Sequence, residues 1–288
     1  RTLEANPDDL TPDYIAMLRT LPFNRLSMGI QTFNESILKV LQRRHTARQA
    51  IEAFQNCRAA GFQNISIDLM YGLPGETLST WQQDLDQALL LHPEHLSAYH
   101  LIYEEDTVLW KLREQHKVEE ADEDLSVSLF STLIDRLTSE GYDHYEISNF
   151  SLPGLYSRHN SSYWTEKKYL GCGPSAHSYN GVSRQWNVAS LDTYIKGISA
   201  GTPVFEIEEL DLYTRYNDFV ITRIRTEWGM PLSKLRDEFG EKLYDYCLRM
   251  AAPHLKQGTL ELVNDILKLT RKGIFISDGI MSDMLWTD

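Results

Sequence analysis

The chain has 288 residues, of which 42% are hydrophobic and 24% are charged, and its formal net charge is −13 at pH 7. This composition is typical of a soluble globular protein and excludes a disordered or collagen-like chain. The sequence contains no run of the ~20 apolar residues that a transmembrane helix requires. Because nucleic-acid binding depends on Lys and Arg contacts to phosphate, the acidic charge predicts no nucleic-acid partner.

Short apolar strands alternate with amphipathic helices over the first 140 residues. The predicted strands are Thr2–Ala5, Leu26–Ile30, Asn64–Met70 and Leu96–Ile102, and the predicted helices are Pro12–Thr20, Asn34–Gln42, Thr46–Ala60, Thr80–Leu91 and Asp124–Glu140. This alternation predicts right-handed βαβ units around a parallel sheet. The spacing suits a barrel of the TIM kind or a doubly wound sheet, and the pattern does not separate them.

The rest of the chain has a different character. Residues 141–203 are rich in aromatic, Gly, Ser and Asn residues without clear periodicity, which predicts an irregular connecting region. Residues 204–288 show the order of a winged-helix-like α+β domain. Its helices are predicted at Leu212–Arg225, Pro231–Gly240, Lys242–Gln257 and near Asp278–Leu285, and its strands at Thr259–Val263 and Ile266–Leu269. This last domain holds 11 Lys/Arg against 15 Asp/Glu, which opposes DNA binding.

The three cysteines, Cys57, Cys172 and Cys247, are odd in number and widely spaced. They do not form a disulfide framework, and they predict a reducing, cytoplasmic location. Their spacing matches no zinc or iron–sulfur motif. Cys57 shares an apolar helix face with Ile51 and Phe54, which favours a core thiol over a metal ligand.

Polar residues lie at or just beyond the ends of the predicted strands. They are Glu4, Gln31, Asp68 and the stretch Tyr99–Glu104, and Arg43 is close enough in sequence to reach the same edge. A single polar residue there is usually a cap or a hydrogen-bond partner. Four on successive strands favour a ligand pocket, because the carboxyl ends of parallel strands line the binding site in such folds.

Two histidines lie in the irregular region within distinctive runs. His159 belongs to Arg-His-Asn-Ser-Ser-Tyr-Trp, residues 158–164, and His177 to Gly-Cys-Gly-Pro-Ser-Ala-His-Ser, residues 171–178. An imidazole beside Tyr163 and Trp164 could ligate a haem iron or hold a flat aromatic ligand. Taken alone, the residues favour a structural role.

Several segments together resemble one family. Thr2–Pro7, Arg25–Asn34, Ile67–Gly75 and Tyr145–Phe150 resemble the oxygen-independent coproporphyrinogen III oxidase-like family of the radical SAM superfamily. The His-Asn-x-x-Tyr-Trp run and the Gly-x-Gly-x-x-x-His-Ser run resemble the haem-chaperone branch of that family. The resemblance covers essentially the whole chain.

The resemblance implies a partial (β/α)₆ barrel of the TIM-like radical SAM type, lacking its first strands, with S-adenosyl-L-methionine (SAM) at the strand ends. By position, the residues matching the family's SAM contacts are Glu4, Gln31, Arg43 and Asp68. The implied haem-binding residues are His159, Asn160, Tyr163, Trp164 and His177. We expect His159 to be the axial ligand of the haem iron, with His177 as the alternative.

The sequence departs from the family at one motif. The Cys-x₃-Cys-x₂-Cys loop that holds a [4Fe–4S] cluster in the family is absent, as is the family's Gly-rich SAM turn. We expect both to lie upstream of Arg1, so that only the complete protein holds the cluster. By itself this chain is expected to be inactive in radical chemistry, and no catalytic residue is assigned in it.

Three functions are considered. The first is a haem-binding chaperone that delivers haem to acceptor proteins, which we expect to be respiratory and to include membrane proteins. The second is oxygen-independent coproporphyrinogen III oxidation, and the third is a winged-helix DNA-binding regulator. We also expect an open sheet of four parallel strands whose unpaired first strand, Thr2–Ala5, pairs with a second copy to form a homodimer.

Overall fold

The computed structural model describes residues 1–287, and its contacts divide the chain into two compact units, Arg1–Ser157 and Arg158–Asp288. Residues 141–157 therefore lie in unit 1 with the predicted barrel. Residues 158–203 lie in unit 2 with the predicted C-terminal domain. In residues 1–287 no helix is both long enough and apolar enough to cross a membrane.

Unit 1 is built on a six-stranded sheet, counted over the described residues, in the order β1-β2-β3-β4-β6-β5. The strands are β1 (Thr2–Ala5), β2 (Arg25–Gln31), β3 (Ile65–Tyr71), β4 (His95–His100), β5 (Asp143–Glu146) and β6 (Asn149–Ser151). The strands β1 to β4 are parallel, as the βαβ alternation predicts. The strand β1 forms one edge of the sheet and β5 forms the other.

The sheet does not end after four strands, so the expected four-stranded sheet is wrong. The strand β6 pairs antiparallel with β4, and β5 pairs antiparallel with β6. Strand β5 has only four residues and β6 only three, and Asp143, His144 and Asn149 interrupt any apolar alternation. The strands β5 and β6 pair with each other across a two-residue turn, and only β6 contacts β4, so a tertiary contact places this hairpin at the edge of the sheet.

The helices of unit 1 begin where the sequence supplies a side chain that caps the first turn. They are α1 (Pro12–Leu18), α2 (Glu35–Val40), α3 (Ala47–Ala59), α4 (Leu78–Leu90), α5 (Val108–Glu114) and α6 (Glu123–Ser139). Thr46 and Gln49 form a reciprocal capping box at α3, and Thr77 with Thr80 does the same at α4. Each box satisfies backbone N–H groups that the helix itself leaves free.

The parallel strands have one apolar and one polar face. In β2, Leu26, Met28 and Ile30 are fully buried, whereas the residues between them are Arg25, Ser27, Gly29 and Gln31. Strands covered by helices on both faces read as continuous apolar runs. The alternation here means that helices cover one face and that the other lines a polar interior, which favours the barrel over the doubly wound sheet.

Trp81 of α4 anchors the helix layer to the apolar face. Its ring is fully buried, its centroid lies 5.6 Å from that of Tyr71, and its Nε1 donates to the carbonyl oxygen of Leu129 at 3.0 Å. One side chain thus joins β3, α4 and α6.

Unit 2 has two parts in sequence order. The first holds α7 (Arg158–Trp164), β7 (His177–Tyr179), β8 (Ser183–Asn187), α8 (Leu191–Ser199) and β9 (Phe205–Glu209), with the strands in the order β7-β8-β9. The second holds α9 (Leu212–Ile224), β10 (Met230–Pro231), α10 (Leu232–Gln257), β11 (Leu260–Val263), β12 (Ile266–Leu269), α11 (Arg271–Ile274) and α12 (Ser277–Met284). Helix α10 is interrupted at Gly240, whose φ of 80° breaks the helix where the sequence predicts a boundary.

We predict that Trp81→Ala lowers the free energy of unfolding by about 3–5 kcal/mol, because it leaves a cavity and an unpaired carbonyl group. Chemical denaturation followed by circular dichroism measures the change. The matched control is Leu90→Ala on the same helix, where the side chain is 71% exposed; the expected change is within about 0.5 kcal/mol. Equal effects of the two substitutions would show that Trp81 does not anchor the layer.

Candidate functional site

The polar face of the sheet in unit 1 brings together two predicted carboxylates. Glu4 of β1 lies opposite Ser27 of β2, and Gly29 of β2 lies opposite Asp68 of β3. The hydroxyl group of Ser27 donates to the carboxylate of Asp68 at 3.3 Å. The segment Ser27–Gly29 is therefore flanked by acidic groups from both neighbouring strands.

Arg43 and Gln31 close over the same segment. Arg43 Nη2 donates to the carbonyl oxygen of Gly29 and to Asn6 Oδ1, both at 2.7 Å. The register of β2 shifts between Gly29 and Gln31, and Gln31 has a φ of 71°. A Cβ atom at Gly29 would lie 2.9 Å from Gln31 Nε2, so glycine leaves room for both side chains. All four residues predicted to contact SAM thus surround Ser27–Gly29.

The group offers a donor that the protein does not satisfy itself. Arg43 Nε is buried and has no hydrogen-bond partner among residues 1–287. An orphaned guanidinium N–H is suited to a ligand carboxylate, and neighbouring carboxylates are suited to amino and hydroxyl groups. The residues present therefore fit a ligand such as SAM, which carries all three kinds of group.

Burial is the main cause that raises the pKa of Asp68, to about 6. Glu4 raises this pKa further, whereas hydrogen bonds from Ser97 and Ser27 and the charge of Arg25 lower it. Asp68 is thus mostly ionised at pH 7 but is protonated by mild acid. Arg25 is a further member of this polar group, which the motifs did not single out. Arg25 lies on the polar face of β2, and the alternation of polar and apolar residues along this strand is the signal that indicates its position.

A buried hydrogen-bonded chain occupies another part of the polar face. His95 of β4 hydrogen-bonds Ser66 at 2.8 Å and the hydroxyl group of Tyr145 at 2.7 Å, and that hydroxyl accepts from the backbone N–H of Ser157 at 3.4 Å. Burial lowers the pKa of His95 to about 3, so its ring is neutral. At the carboxyl end of β4, in the stretch Tyr99–Glu104, Tyr99 is partly exposed.

In unit 2, helix α7 divides the His-Asn-x-x-Tyr-Trp run between two environments. His159 and Tyr163 are both exposed, and the Tyr163 hydroxyl forms a hydrogen bond of 3.1 Å with His159 Nε2. Trp164 instead packs within the unit, with the guanidinium carbon of Arg225 4.2 Å from its ring centroid. Asn160 is half-buried. Thus only His159 and Tyr163 come together at the surface.

An aromatic ladder leads from α7 to the strand that carries His177. Tyr163 contacts Tyr169 with ring centroids 5.0 Å apart, and Tyr169 contacts Tyr179, to which it is also bridged by backbone hydrogen bonds. Tyr179 lies two residues after His177 on β7, and therefore on the same face. The two predicted histidines lie at the ends of one aromatic surface of unit 2.

The cysteines do not form a metal site. Cys57 is buried in α3, Cys247 is buried in α10, and Cys172 is exposed; all three are free thiols. In residues 1–287 no group of three or more His, Cys, Asp or Glu side chains could hold a metal ion. The residues of this chain therefore do not fit a [4Fe–4S] cluster.

The partial barrel and its C-terminal domain match two known family models. Residues 2–88 match the model of the Radical SAM superfamily, and residues 210–276 match that of the HemN C-terminal domain. The coproporphyrinogen III oxidase HemN from Escherichia coli, a radical SAM enzyme, superimposes with a TM-score of 0.81 over 98% of this chain and 69% of its own. At 22% identity, that likeness shows the fold, which is the expected α/β radical SAM barrel.

Curated relatives specify the family more closely. The heme chaperone HemW of Lactococcus lactis is 32% identical over 100% of this chain and 76% of its own length. The corresponding protein of Bacillus subtilis is 30% identical over 98% of this chain and 75% of its own length. The chain belongs to the HemW family of radical SAM proteins, as the motifs predicted.

We predict that Asp68→Asn changes how stability depends on pH. Between about pH 4 and pH 6 the folded wild type holds a proton that the unfolded chain has released, so its stability falls as the pH rises through this window. Asparagine removes this cost, and the variant should be more stable than the wild type by about 3 kcal/mol at pH 7 and equally stable below about pH 4.

Denaturant titrations of both proteins at several pH values measure this difference. Asp86→Asn is the matched control, because Asp86 is an exposed carboxylate on α4, and its curve should follow that of the wild type. A constant difference between the Asp68→Asn variant and the wild type from pH 4 to pH 7 would contradict the raised pKa.

Proposed function

We propose that this protein binds haem and delivers it to acceptor proteins. The observation that carries the proposal is the similarity, at 30–32% identity over 98–100% of the chain, to relatives named heme chaperone HemW. The exposed histidines and tyrosines of unit 2 support it, because imidazole ligates haem iron and aromatic rings offer flat apolar area to a macrocycle. His159 and His177 are the two candidate axial ligands.

We also propose that the group around Ser27–Gly29 holds SAM. Arg43 would bind the carboxylate of the methionine part, and Glu4 and Asp68 would accept hydrogen bonds from its amino group and from the ribose hydroxyls, with Gln31 closing the site. Bound there, SAM would supply an activated sulfonium centre. The [4Fe–4S] cluster that the radical SAM family implies needs cysteines at a spacing that this sequence does not contain.

The proposed partners follow from the proposed cargo. Haem acceptors, including respiratory membrane proteins, would receive the haem, and a second copy of the chain is a further proposed partner. The free thiols of all three cysteines support a cytoplasmic location. The acidic C-terminal domain disfavours nucleic acid, and the likeness to HemN at 22% identity supplies a fold without favouring porphyrinogen oxidation.

Titration of the chain with ferric haem tests the haem-binding proposal. We expect saturable binding with one sharp Soret band, and we expect the double variant His159→Ala, His177→Ala to lose that band. Both side chains are exposed, so the free energy of unfolding should change by no more than about 1 kcal/mol. A double variant that binds haem with the wild-type spectrum and affinity would exclude both histidines as ligands.

Calorimetric titration with SAM tests the second site. We predict that Arg43→Ala weakens SAM binding by about 10- to 100-fold, the effect of losing a hydrogen bond to a charged group. Arg44→Ala is the matched control: Arg44 is the next residue, but its side chain is 67% exposed and pairs with Asp8. Equal loss of affinity in both variants would point to general electrostatics rather than to a specific contact.

A further inference from the structure

Resting on the proposed haem-binding function, we infer that haem inserts one apolar edge into a cavity at the end of the sheet β7-β8-β9, and that His177 ligates the iron. His159, which the motif favours, then acts outside the ligand sphere of the iron. The inference depends on three features of unit 2: the cavity, the unengaged imidazole of His177 and the rigid frame around it.

The cavity lies where β7 begins, β8 ends and β9 begins. It has a volume of about 340 Å³. Its walls are largely apolar, with Trp186, Val188, Val204 and Phe205 among the lining residues, and His177 also lines it. Apolar walls with a few directed polar groups are the usual lining of a small-molecule site.

The two candidate histidines differ in what already engages them. His159 Nε2 is hydrogen-bonded to the Tyr163 hydroxyl group at 3.1 Å. The ring of His177 is exposed, and within the part of the chain that the structure describes neither of its nitrogens has a hydrogen-bond partner; its ring contact is with Trp186, at 5.9 Å and 31° between planes. His177 can therefore coordinate iron without breaking an existing bond.

The backbone around His177 is held in place before any ligand binds. Asn187 Nδ2 donates to the carbonyl oxygen of Gly173 at 2.9 Å, and the backbone N–H of Gly173 donates to the Tyr194 hydroxyl at 2.9 Å. A Cβ atom at Gly171 would lie 2.1 Å from the carbonyl oxygen of His177. Only glycine permits this close approach, which explains the Gly-x-Gly-x-x-x-His spacing as a frame for the imidazole.

Size and charge determine which part of the ligand enters. A volume of about 340 Å³ is at the small end of the ~300–1,000 Å³ range of ligand pockets, so the cavity holds an edge of a macrocycle and leaves the remainder exposed. Glu206 lies at the cavity, and its carboxylate repels the anionic propionates of haem. The vinyl-bearing apolar edge therefore enters, and the propionates stay in solvent.

The experiment separates iron ligation from seating of the macrocycle. The chain is titrated with ferric haem and with metal-free protoporphyrin, as wild type and as His177→Ala, His159→Ala, Cys172→Ser, Val204→Trp and Val182→Trp variants. Val204 lines the cavity, and Val182 is a similarly exposed valine of unit 2 that does not. Circular dichroism confirms that each variant is folded.

We expect His177→Ala to shift the Soret band and to weaken haem binding by about tenfold or more, equivalent to about 1.4 kcal/mol, while protoporphyrin binding changes little. Val204→Trp should weaken the binding of both ligands, because the indole fills the cavity. His159→Ala and Val182→Trp should leave the haem spectrum unchanged. If His177→Ala does not fold, the valine pair still decides where the macrocycle sits.

The opposite outcomes overturn the inference in identifiable ways. A Soret shift in His159→Ala but not in His177→Ala would show that His159 of α7 ligates the iron. A shift in Cys172→Ser alone would assign a thiolate ligand, and equal affinities in the two valine variants would exclude the cavity. In these cases haem binding by the chain would stand, whereas absence of saturable haem binding by the wild type would refute the proposed function itself.

Discussion

The alternation of side chains along the parallel strands is the constraint on which the rest of unit 1 depends. Leu26, Met28 and Ile30 face the helix layer and are fully buried, so the residues between them must face the opposite side. A register slip of one residue would turn Arg25 towards the helix layer and this apolar core towards the polar interior. The packing of the apolar face therefore holds the polar residues in fixed positions, and the candidate site around Ser27–Gly29 needs no separate scaffold.

The polar interior has an electrostatic balance of its own. Asp68 is buried enough for its pKa to rise to about 6, and Arg25 and two serines oppose that rise. Burial also lowers the pKa of Arg25, and the charge of Asp68 opposes that shift, so the two groups stabilise each other's charge. Arg43 retains an unpaired Nε. The site thus carries charged groups and a hydrogen-bond donor without a partner among the described residues, as expected for a site that binds a polar ligand.

Unit 2 combines exposed aromatic residues with a stiff backbone. Asn187 and Tyr194 hold the glycine-flanked loop beside His177, while the ring of His177 stays accessible. A ligand that inserts only one edge buries little of its surface. It can dissociate without a large rearrangement of the protein. Such a shallow, preorganised seat suits a protein that passes its ligand to another, because release requires few contacts to break.

The sequence by itself determined the βαβ order, the helices of unit 1 other than α5, the winged-helix-like order and the family. Each depends on local periodicity, capping or motif spacing, which neighbouring residues specify. Only the tertiary structure decided that β5 and β6 extend the sheet, that Arg25 joins Glu4 and Asp68, that Trp164 turns towards Arg225, and that His177 opens onto a cavity. These features depend on contacts between residues distant in the chain, and such contacts leave no periodic signal in the segments that make them.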